Sequence, residues 1–450
     1  MAYWSDHSLL VAMQSAFGTA NTTDGDFDAI KCELPAVSFE TEVVELDLLT
    51  GQPGAEPERL PGARGGTISF TIPLEGFKEG YTVSGNAPAA DPGATGVIPL
   101  WLSMLANAMG SNLSAVSTDA NFKDGLMCSV SQYTSGGVAS ALADAITLDN
   151  STASNKIDVG QLVCTATSAT STSLQLGFCQ DKTGQVCTLF EDAGTIVNSA
   201  SANVYGTATA YASAEYVNQK PLTMRWTGPD ATFCYILQDC ITESIRITWE
   251  SQAVPTAEFT LRFYNYSVNK TKGGLVAPDS FKRVPQIVGN NNGRATINGS
   301  VQCGLESCTW EWTATFTPVK CHSASQGTSA VLISKPRIRA SFSVLHDSAD
   351  LVYDAAGTSG NTGSHKWQSF LERQSVISIA TYVGTVVGRV WAQLIPAGRI
   401  IEVPAVEFRG ENSVAYTIQI GAGAYSGDTT DTAETAADSP LNSISRQSLA

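Results

Sequence analysis

Alternating apolar and polar positions dominate this chain and predict half-buried β-strands, because successive side chains of a strand point to opposite faces of a sheet. Residues 67–74 alternate without a break. Residues 244–264 alternate on both sides of Pro255, and residues 400–420 do so on both sides of a polar turn at 409–412. The last two segments therefore predict β-hairpins with one polar face.

Helical spacing of apolar residues is confined to two short segments. Trp101 and Leu105 lie one helical turn apart in residues 99–109, and a glycine follows as a stop signal. Trp367 and Leu371 repeat the same spacing later in the chain. Each segment predicts a short buried helix.

These elements recur in the same order, which indicates an internal repeat. Residues 340–344 (ASFSV) parallel residues 68–72 (ISFTI), and residues 367–371 (WQSFL) parallel residues 101–105 (WLSML). A hairpin follows each helix. The sequence therefore predicts two related β modules, each with one short helix, whose cores contain Phe70, Trp101, Leu105, Trp249, Phe342, Trp367 and Leu371.

An insertion separates the helix of the first module from its hairpin. Residues 111–222 are rich in Ser, Thr, Ala and Gly and contain further alternating pieces. They predict a small inserted β domain, the alternative being a long ordered loop. The predicted division of this mainly β chain is an N-terminal arm at 1–24, a first module at 25–110 and 223–270, the insertion at 111–222, a linker at 271–295, a second module at 296–425 and a polar C-terminal tail at 426–450.

The composition narrows the classes of function. Asp and Glu number 42 against 26 Lys and Arg, so the formal charge is -16, which disfavours binding to nucleic acid or to an anionic membrane. No apolar stretch is long and uninterrupted enough to cross a bilayer. The ten cysteines lack zinc-type spacing and are expected to be free thiols, and no cofactor or metal is predicted.

Candidate catalytic groups are sparse. The four histidines lie in polar sequence, and no nucleophile motif or phosphate-binding loop occurs. Carboxylates along residues 33–47 could supply the acid pair of a glycosidase, but a solvated sheet face explains them more simply. The sequence therefore predicts no enzyme, and it selects six glutamates at polar strand positions that would set the charge of a sheet surface: Glu40, Glu42, Glu250, Glu258, Glu402 and Glu407.

Four segments outside the insertion carry further information through their sequence and their order. They are the opening run at 9–19 (LLVAMQSAFGT), the glycine-rich stretch at 62–66 (GARGG) that leads into a strand, the helix at 99–109, and residues 294–300 (RATINGS) at the start of the second module. In this order, and with the duplication, the chain resembles the tail tube proteins of long-tailed bacteriophages. The resemblance covers most of the chain outside 111–222.

The resemblance implies a structural protein of the virion that is assembled in the cytoplasm of the host bacterium. Modules of this family have a β-sandwich-like or barrel-like fold with a short helix, and their sheets close into rings that stack into a tube. Because family members with one module form hexameric rings, a two-module chain implies a trimeric ring with pseudo-sixfold symmetry. The implied partners are further copies of the chain, a tape measure protein, and tail terminator and tip proteins. Phage DNA passes without specific binding, and no membrane is involved.

Two groups of residues acquire a role under this resemblance. Leu9, Leu10, Met13 and Phe17 in the N-terminal arm are expected to clasp a neighbouring ring. At least one terminal arm is expected to become ordered only in the assembled tube, where a neighbouring subunit supplies its contacts. The six glutamates are expected to line the channel, because an acidic wall repels the phosphates of DNA during ejection.

Two other classes of function remain open on the sequence. A secreted or surface adhesin would use the Ser/Thr-rich insertion as its binding module, although the N-terminus lacks the pattern of a signal peptide. A carbohydrate-active enzyme would need a deep cleft with paired carboxylates of shifted pKa.

Overall fold

The alternating segments pair into antiparallel strands, as the pattern predicts for a mainly β protein. A computed structural model of the chain describes residues 7–46, 58–78, 98–109, 126–128, 138–141, 145–148, 160–166, 174–183, 186–189, 203–205, 207–213, 219–228, 234–269, 281–284, 293–297, 300–301, 305–321, 328–345, 371, 374, 376–409, 413–423 and 443–449. Within these ranges, 19 strands join one large sheet, six form a second sheet and two form a short ladder.

Most of the described residues belong to strands, and one α-helix lies among them. In chain order the elements are β1 (Ser8–Met13), β2 (Asp28–Ile30), β3 (Ala36–Leu46), β4 (Glu58–Pro73), β5 (Glu75–Lys78), α1 (Leu100–Met109), β6 (Leu126–Cys128), β7 (Val138–Ala141), β8 (Ala145–Leu148), β9 (Leu162–Ala166), β10 (Gln175–Thr183), β11 (Val186–Leu189), β12 (Asn203–Tyr205), β13 (Ala208–Ser213), β14 (Leu222–Thr227), β15 (Cys234–Glu250), β16 (Thr256–Phe263), β17 (Asn265–Asn269), β18 (Phe281–Arg283), β19 (Gly293–Ile297), β20 (Ser300–Val301), β21 (Leu305–Lys320), β22 (Thr328–Leu345), β23 (Ile377–Val383), β24 (Trp391–Ile400), β25 (Ala405–Arg409), β26 (Ser413–Ala422) and β27 (Ser443–Leu449), with a short 3-10 helix at Asp24–Asp26.

Eight strands of the large sheet lie side by side as a continuous antiparallel ribbon. Their order across the ribbon is β3, β4, β16, β15, β21, β22, β26 and β25. The hairpin predicted at 244–264 is present as β15 and β16, and the hairpin predicted at 400–420 is present as β25 and β26. Both predictions from alternation are confirmed.

The ribbon consists of two four-stranded halves with the same order of strands. β3, β4, β16 and β15 form the first half, and β21, β22, β26 and β25 form the second. Each half starts with a long hairpin that carries a register shift at a similar place, between Thr41 and Val43 in the first and between Thr313 and Thr315 in the second. β15 pairs with β21 and joins the halves. The repeated letters of the sequence therefore coincide with a repeated topology.

The N-terminal apolar run forms a buried strand of the large sheet. β1 pairs with β14 on one side and with β2 on the other, and Leu9, Leu10 and Met13 are buried. These three residues pack within their own chain, so they do not form the free arm that was expected from the sequence. Phe17 lies beyond the strand and is half-buried, with its ring 5.7 Å from that of Tyr264.

The last residues of the chain also form a strand in their own subunit. β27 lies between β13 and β24, and Ser445 and Gln447 are fully buried. Trp310 Nε1 donates to Ser445 Oγ at 3.0 Å, and Trp391 Nε1 donates to Gln447 Oε1 at 2.9 Å. The expectation that this polar tail needs a neighbouring subunit for order is wrong for residues 443–449, because the chain's own core supplies the hydrogen bonds.

The insertion contains a separate six-stranded sheet, in the order β12, β9, β10, β11, β8 and β7. One face of this sheet packs on β23 and β24 of the second module, where the rings of Phe178 and Tyr382 lie 6.0 Å apart. β6 and β13 pair with each other, and β13 also pairs with β27, so both belong to the large sheet. The separate sheet therefore ends before β13 and not at residue 222.

The predicted first helix is confirmed as α1. It packs beneath the ribbon in one core that also contains most of the residues selected from the repeat: Phe70, Trp101, Leu105, Trp249 and Phe342. Leu371 is partly buried against the same core, whereas Trp367 lies outside the described residues. Within the predicted linker, β18 pairs with β5, which lies between β4 and α1 in the first module.

Candidate functional site

The ribbon has one apolar face and one polar face. Apolar side chains such as Phe259 and Trp312 are fully buried against the core. The opposite face, called the polar face below, carries a short hydroxyl side chain at most positions of its strands: Ser38, Thr67, Ser69, Thr71, Ser244, Thr248, Thr256, Thr260, Ser307, Thr309, Thr313, Ser341, Ser343 and Thr417. Most of this surface is therefore hydrophilic without being charged.

Charged side chains cross the polar face in a row of alternating sign, called the charge row below. Glu258 lies opposite Arg246, and Arg246 lies opposite Glu311 on its other side. Glu311 in turn lies opposite Arg339. Because side chains directly opposite on antiparallel strands have Cβ atoms about 5 Å apart, each arginine of the row stands beside a carboxylate.

A second arginine site on the polar face is paired directly. Arg262 Nε lies 2.6 Å from Glu243 Oε1, and its guanidinium also lies 3.5 Å from Glu40 Oε2. The hydrogen bond to Glu243 raises the pKa of the Arg262 guanidinium further. Arginine on this face is thus accompanied by acceptors from its own chain.

The six glutamates selected from the sequence separate into three groups. Glu40, Glu250, Glu258 and Glu407 occupy the polar face and are exposed. Glu402 is exposed between β24 and β25. Glu42 lies at the bulge of β3, between Thr41 and Val43, and its Oε1 is 3.2 Å from Lys320 Nζ on the second long hairpin.

The polar face carries both signs of charge, with carboxylates in modest excess. Its basic members were not predicted from the sequence, because the pairing that brings them together joins distant segments. The carboxylates at regular strand positions of the polar face are Glu40, Glu250, Glu258, Glu311 and Glu407. Two more carboxylates, Glu243 and Glu306, reach the face from β-bulges. The basic residues of the face are Arg246, Arg262, Arg337 and Arg339.

The two outermost strands of the ribbon have no partner on their outer side among the described residues. β3 pairs with β4 alone, and β25 pairs with β26 alone. Apolar side chains are exposed on both edge strands and just before them. Phe39 on β3 is 39% and Val406 on β25 is 50% exposed, and Leu34 before β3 and Val403 before β25 are 61% and 70% exposed. An open strand edge with apolar side chains is a template for pairing with another chain.

Phe39 is held at the β3 edge by an aromatic cluster. Its ring lies 5.0 Å from Tyr235, 4.8 Å from Tyr266 and 5.8 Å from Phe263. Aromatic pairs at these separations attract each other beyond the area that they bury. The edge is therefore a fixed surface, with part of the Phe39 ring open to solvent.

A buried carboxylate that the sequence did not single out anchors the segment after β1. Asp239 has a left-handed backbone, with φ 54°, and its Oδ1 accepts a hydrogen bond from the Gly18 N–H at 2.6 Å. With its amide oriented to satisfy both atoms, Gln14 donates to Asp239 Oδ1 at 2.9 Å and accepts from the Asp239 N–H at 3.2 Å. Burial raises the pKa of the Asp239 carboxyl above its ordinary value.

Two buried thiols are not activated, and potential metal ligands are scattered, in the described part of the chain. Cys164 and Cys308 are free thiols whose burial raises the pKa of each to about 12, so neither is an activated nucleophile at neutral pH. Among the described residues, no three or more His, Cys, Asp and Glu side chains come together as metal ligands. None of the described helices is both long and apolar enough to span a membrane.

No protein-family model matches this sequence, and no curated protein sequence matches it with significance. The ribbon, its polar face and its two open edges are therefore the features from which a function can be inferred.

Proposed function

We propose that this protein is a structural subunit of a bacteriophage tail tube, in which copies of the chain close into rings that stack around a channel. The observation that carries the proposal is the ribbon, whose two halves are joined by strand pairing and whose outer strands are open among the described residues. A sheet closed by copies of itself has no exposed edge. The resemblance of the sequence to tail tube proteins supports the same assignment from separate observations.

In the proposed ring, each chain supplies two modules and three chains supply six. Closed cyclic symmetry ends growth within a ring, whereas head-to-tail contact between rings permits a tube of any length. A tape measure protein would set that length, and tail terminator and tip proteins would close the ends. The chain would assemble in the bacterial cytoplasm and remain in the virion.

The polar face of the ribbon is the proposed channel wall. The apolar face is buried against the core, so the polar face is the one that a closed ribbon can turn toward a water-filled channel. Its hydroxyl side chains bind water and carry no positive charge to hold phosphate, and its excess of carboxylates repels phosphate. DNA would then slide past this wall without being held.

Negative-stain electron microscopy of the purified protein at high concentration tests the proposal. We expect end-on views of rings with six similar lobes and a central hole, and a ring mass of three chains. A ring of six chains would keep the tube but contradict the pseudo-sixfold trimer. Protein that stays monomeric at every concentration would contradict the proposal and favour the adhesin or enzyme alternatives.

A further inference from the structure

We infer that β25 of one copy pairs with β3 of the next copy in a defined antiparallel register, with Val406 opposite Val37. The inference rests on the proposed ring and goes beyond it by naming the strands and the residue pairs that close the ring. Its basis is the internal junction between β15 and β21, which joins the two halves of the ribbon within one chain.

The strand pairings align the two halves residue by residue. The repeat places Phe70 on β4 at the position of Phe342 on β22. Phe70 pairs with Phe259 on β16, and Phe342 pairs with Ile418 on β26. Phe259 and Ile418 are therefore equivalent, and both are fully buried.

The same alignment extends to β15 and β25. Ile247 pairs with the residue two positions before Phe259, and Val406 pairs with the residue two positions before Ile418. Ile247 and Val406 are therefore equivalent. No register shift interrupts these stretches of pairing, so the count is unambiguous.

On the other side of each half, the alignment reaches β21 and β3. Trp310 pairs with Ala340, and Val37 pairs with Ile68, which is the residue equivalent to Ala340. Trp310 and Val37 are therefore equivalent. Because Ile247 pairs with Trp310 inside the chain, the same junction made between two copies places Val406 opposite Val37.

Equivalent residues differ in exposure as this pairing requires. At the internal junction, Ile247 is 1% and Trp312 0% exposed. Their equivalents at the open edges, Val406 and Phe39, are 50% and 39% exposed. A second copy in this register would cover Val406 and Phe39 as the neighbouring half of the chain covers Ile247 and Trp312. The occupant of these edges is thus a second copy of the chain.

Two prolines and the charges fit the same register. Pro35 and Pro404 stand directly before the two edge strands, where they lack an N–H and end the ladder. In this register Glu407 lies opposite Ala36 and not opposite another carboxylate. A slip of one residue would turn the apolar side chains of one edge to the polar face, so the neighbouring registers are disfavoured.

Cysteine cross-linking between copies tests the register. Val37→Cys and Val406→Cys are introduced into separate copies, which are mixed, allowed to assemble and oxidised. Directly opposite residues have Cα atoms about 4.5–5.5 Å apart, within the range of a disulfide. We expect at least about tenfold more cross-linked dimer than from a control mixture of Val37→Cys and Ala405→Cys, whose side chains would lie on opposite faces. The unsubstituted chain gives the background from native cysteines.

A second pair and the double variant make the test decisive. The second pair of variants is Ser38→Cys and Ala405→Cys. In the same register these two residues lie opposite each other on the polar face, where both native side chains are exposed. This pair replaces the first if Val37→Cys lowers the yield of folded protein. In a chain that carries both Val37→Cys and Val406→Cys, oxidation of rings should give a ladder that ends at three chains.

The outcomes of these experiments distinguish a failure of the proposed register from a failure of the proposed function. Rings without a cross-link in either pair would overturn the register and leave the ring proposal standing. Cross-linked chains that never form rings would keep the strand pairing and overturn closure into a tube. Neither rings nor cross-links would overturn both.

Discussion

At the scale of single residues, side-chain amides hold the C-terminal strand in the core. Gln447 accepts from Trp391 and donates to Gln393 Oε1 at 3.5 Å, and Gln393 donates to Thr381 Oγ1 at 3.2 Å. All four residues are buried. A buried polar group that loses its partner costs about 1–3 kcal/mol, so the network is stabilising only when it is complete.

Replacing Gln447 with Leu should therefore be costly. The Trp391 N–H and the Gln393 carbonyl both lose a partner, and we expect the free energy of unfolding to fall by about 2 kcal/mol or more. Urea denaturation measures the change. The control is Gln419→Leu on β26, a half-buried position of the polar face, which should change stability by less than about 0.5 kcal/mol. A loss of stability in Gln447→Leu no larger than that in Gln419→Leu would contradict the role given to the buried hydrogen bonds of Gln447.

The Asp239 carboxyl should make the folded protein less stable as pH rises, which is the opposite of the usual contribution of an aspartate. Burial raises the pKa of its carboxyl, although the hydrogen bond from Gly18 opposes the shift. The folded chain then holds this proton more tightly than the unfolded chain does. The resulting stabilisation is fully present below the ordinary pKa of 3.8 and is lost as pH rises through the raised pKa.

Comparison with Asp239→Asn isolates this contribution. The stability of the unsubstituted protein relative to Asp239→Asn should fall as pH rises across that window, measured by urea unfolding at a series of pH values. Glu250→Gln, at an exposed position, serves as the control and should show no such fall. A relative stability of Asp239→Asn that is flat or opposite in sign would contradict the role given to burial.

At the scale of elements, the β25 edge should govern assembly without governing folding. Val406 is half exposed in the single chain, so Val406→Lys should shift the melting temperature by no more than a few degrees. In the assembled ring the same lysine would be buried without a partner. We expect at least about a tenfold loss of rings, measured by analytical ultracentrifugation.

Val186→Lys is the matched control for Val406→Lys. Val186 is a similarly exposed valine, at 37%, on β11 of the separate sheet. It should leave the yield of rings unchanged if the edges of the ribbon are the assembly surface. A loss of rings in both variants would point to the separate sheet, or to general solubility, as the cause.

Local periodicity predicted those elements whose partners are close in sequence. The β15 and β16 hairpin and α1 follow from alternation and from one helical turn of apolar residues. β1 was misread because a short apolar run suits a buried strand and a clasping arm equally well. β27 left little apolar signal, because three of its four described buried residues are Ser445, Gln447 and Ser448, and only Leu449 is apolar. The hydrogen-bond partners of Ser445 and Gln447, Trp310 and Trp391, lie far away in the chain.

At the scale of the whole molecule, the duplication could be predicted from the sequence, whereas the mixture of charges on the polar face could not. The similar sequences around Phe70 and Phe342 were enough to infer two modules. Four of the six glutamates selected from the sequence lie on one surface, since polar positions of alternating strands share a face. It could not show that Arg246 would lie between Glu258 and Glu311, because that depends on pairing across two different hairpins.

The charge row leads to the prediction that placement, and not net charge alone, keeps this face from binding DNA. Arg246 stands between Glu258 and Glu311, so the double variant Glu258→Gln, Glu311→Gln leaves its guanidinium available to phosphate. We expect at least about tenfold tighter binding of a short DNA duplex at low salt, measured by fluorescence anisotropy. Each additional phosphate that the variant neutralises should steepen the fall of log K with log salt by about 0.9.

The control for this prediction removes two negative charges at positions outside the charge row. Glu250 lies opposite Ser307, with no arginine beside it in that register, and Glu402 lies outside the strands of the ribbon. Glu250→Gln, Glu402→Gln should therefore bind the duplex as weakly as the unsubstituted chain. Equal binding by the two double variants would mean that the total charge of the subunit controls contact with DNA, and the arginines of the polar face would then need no shielding for DNA to pass.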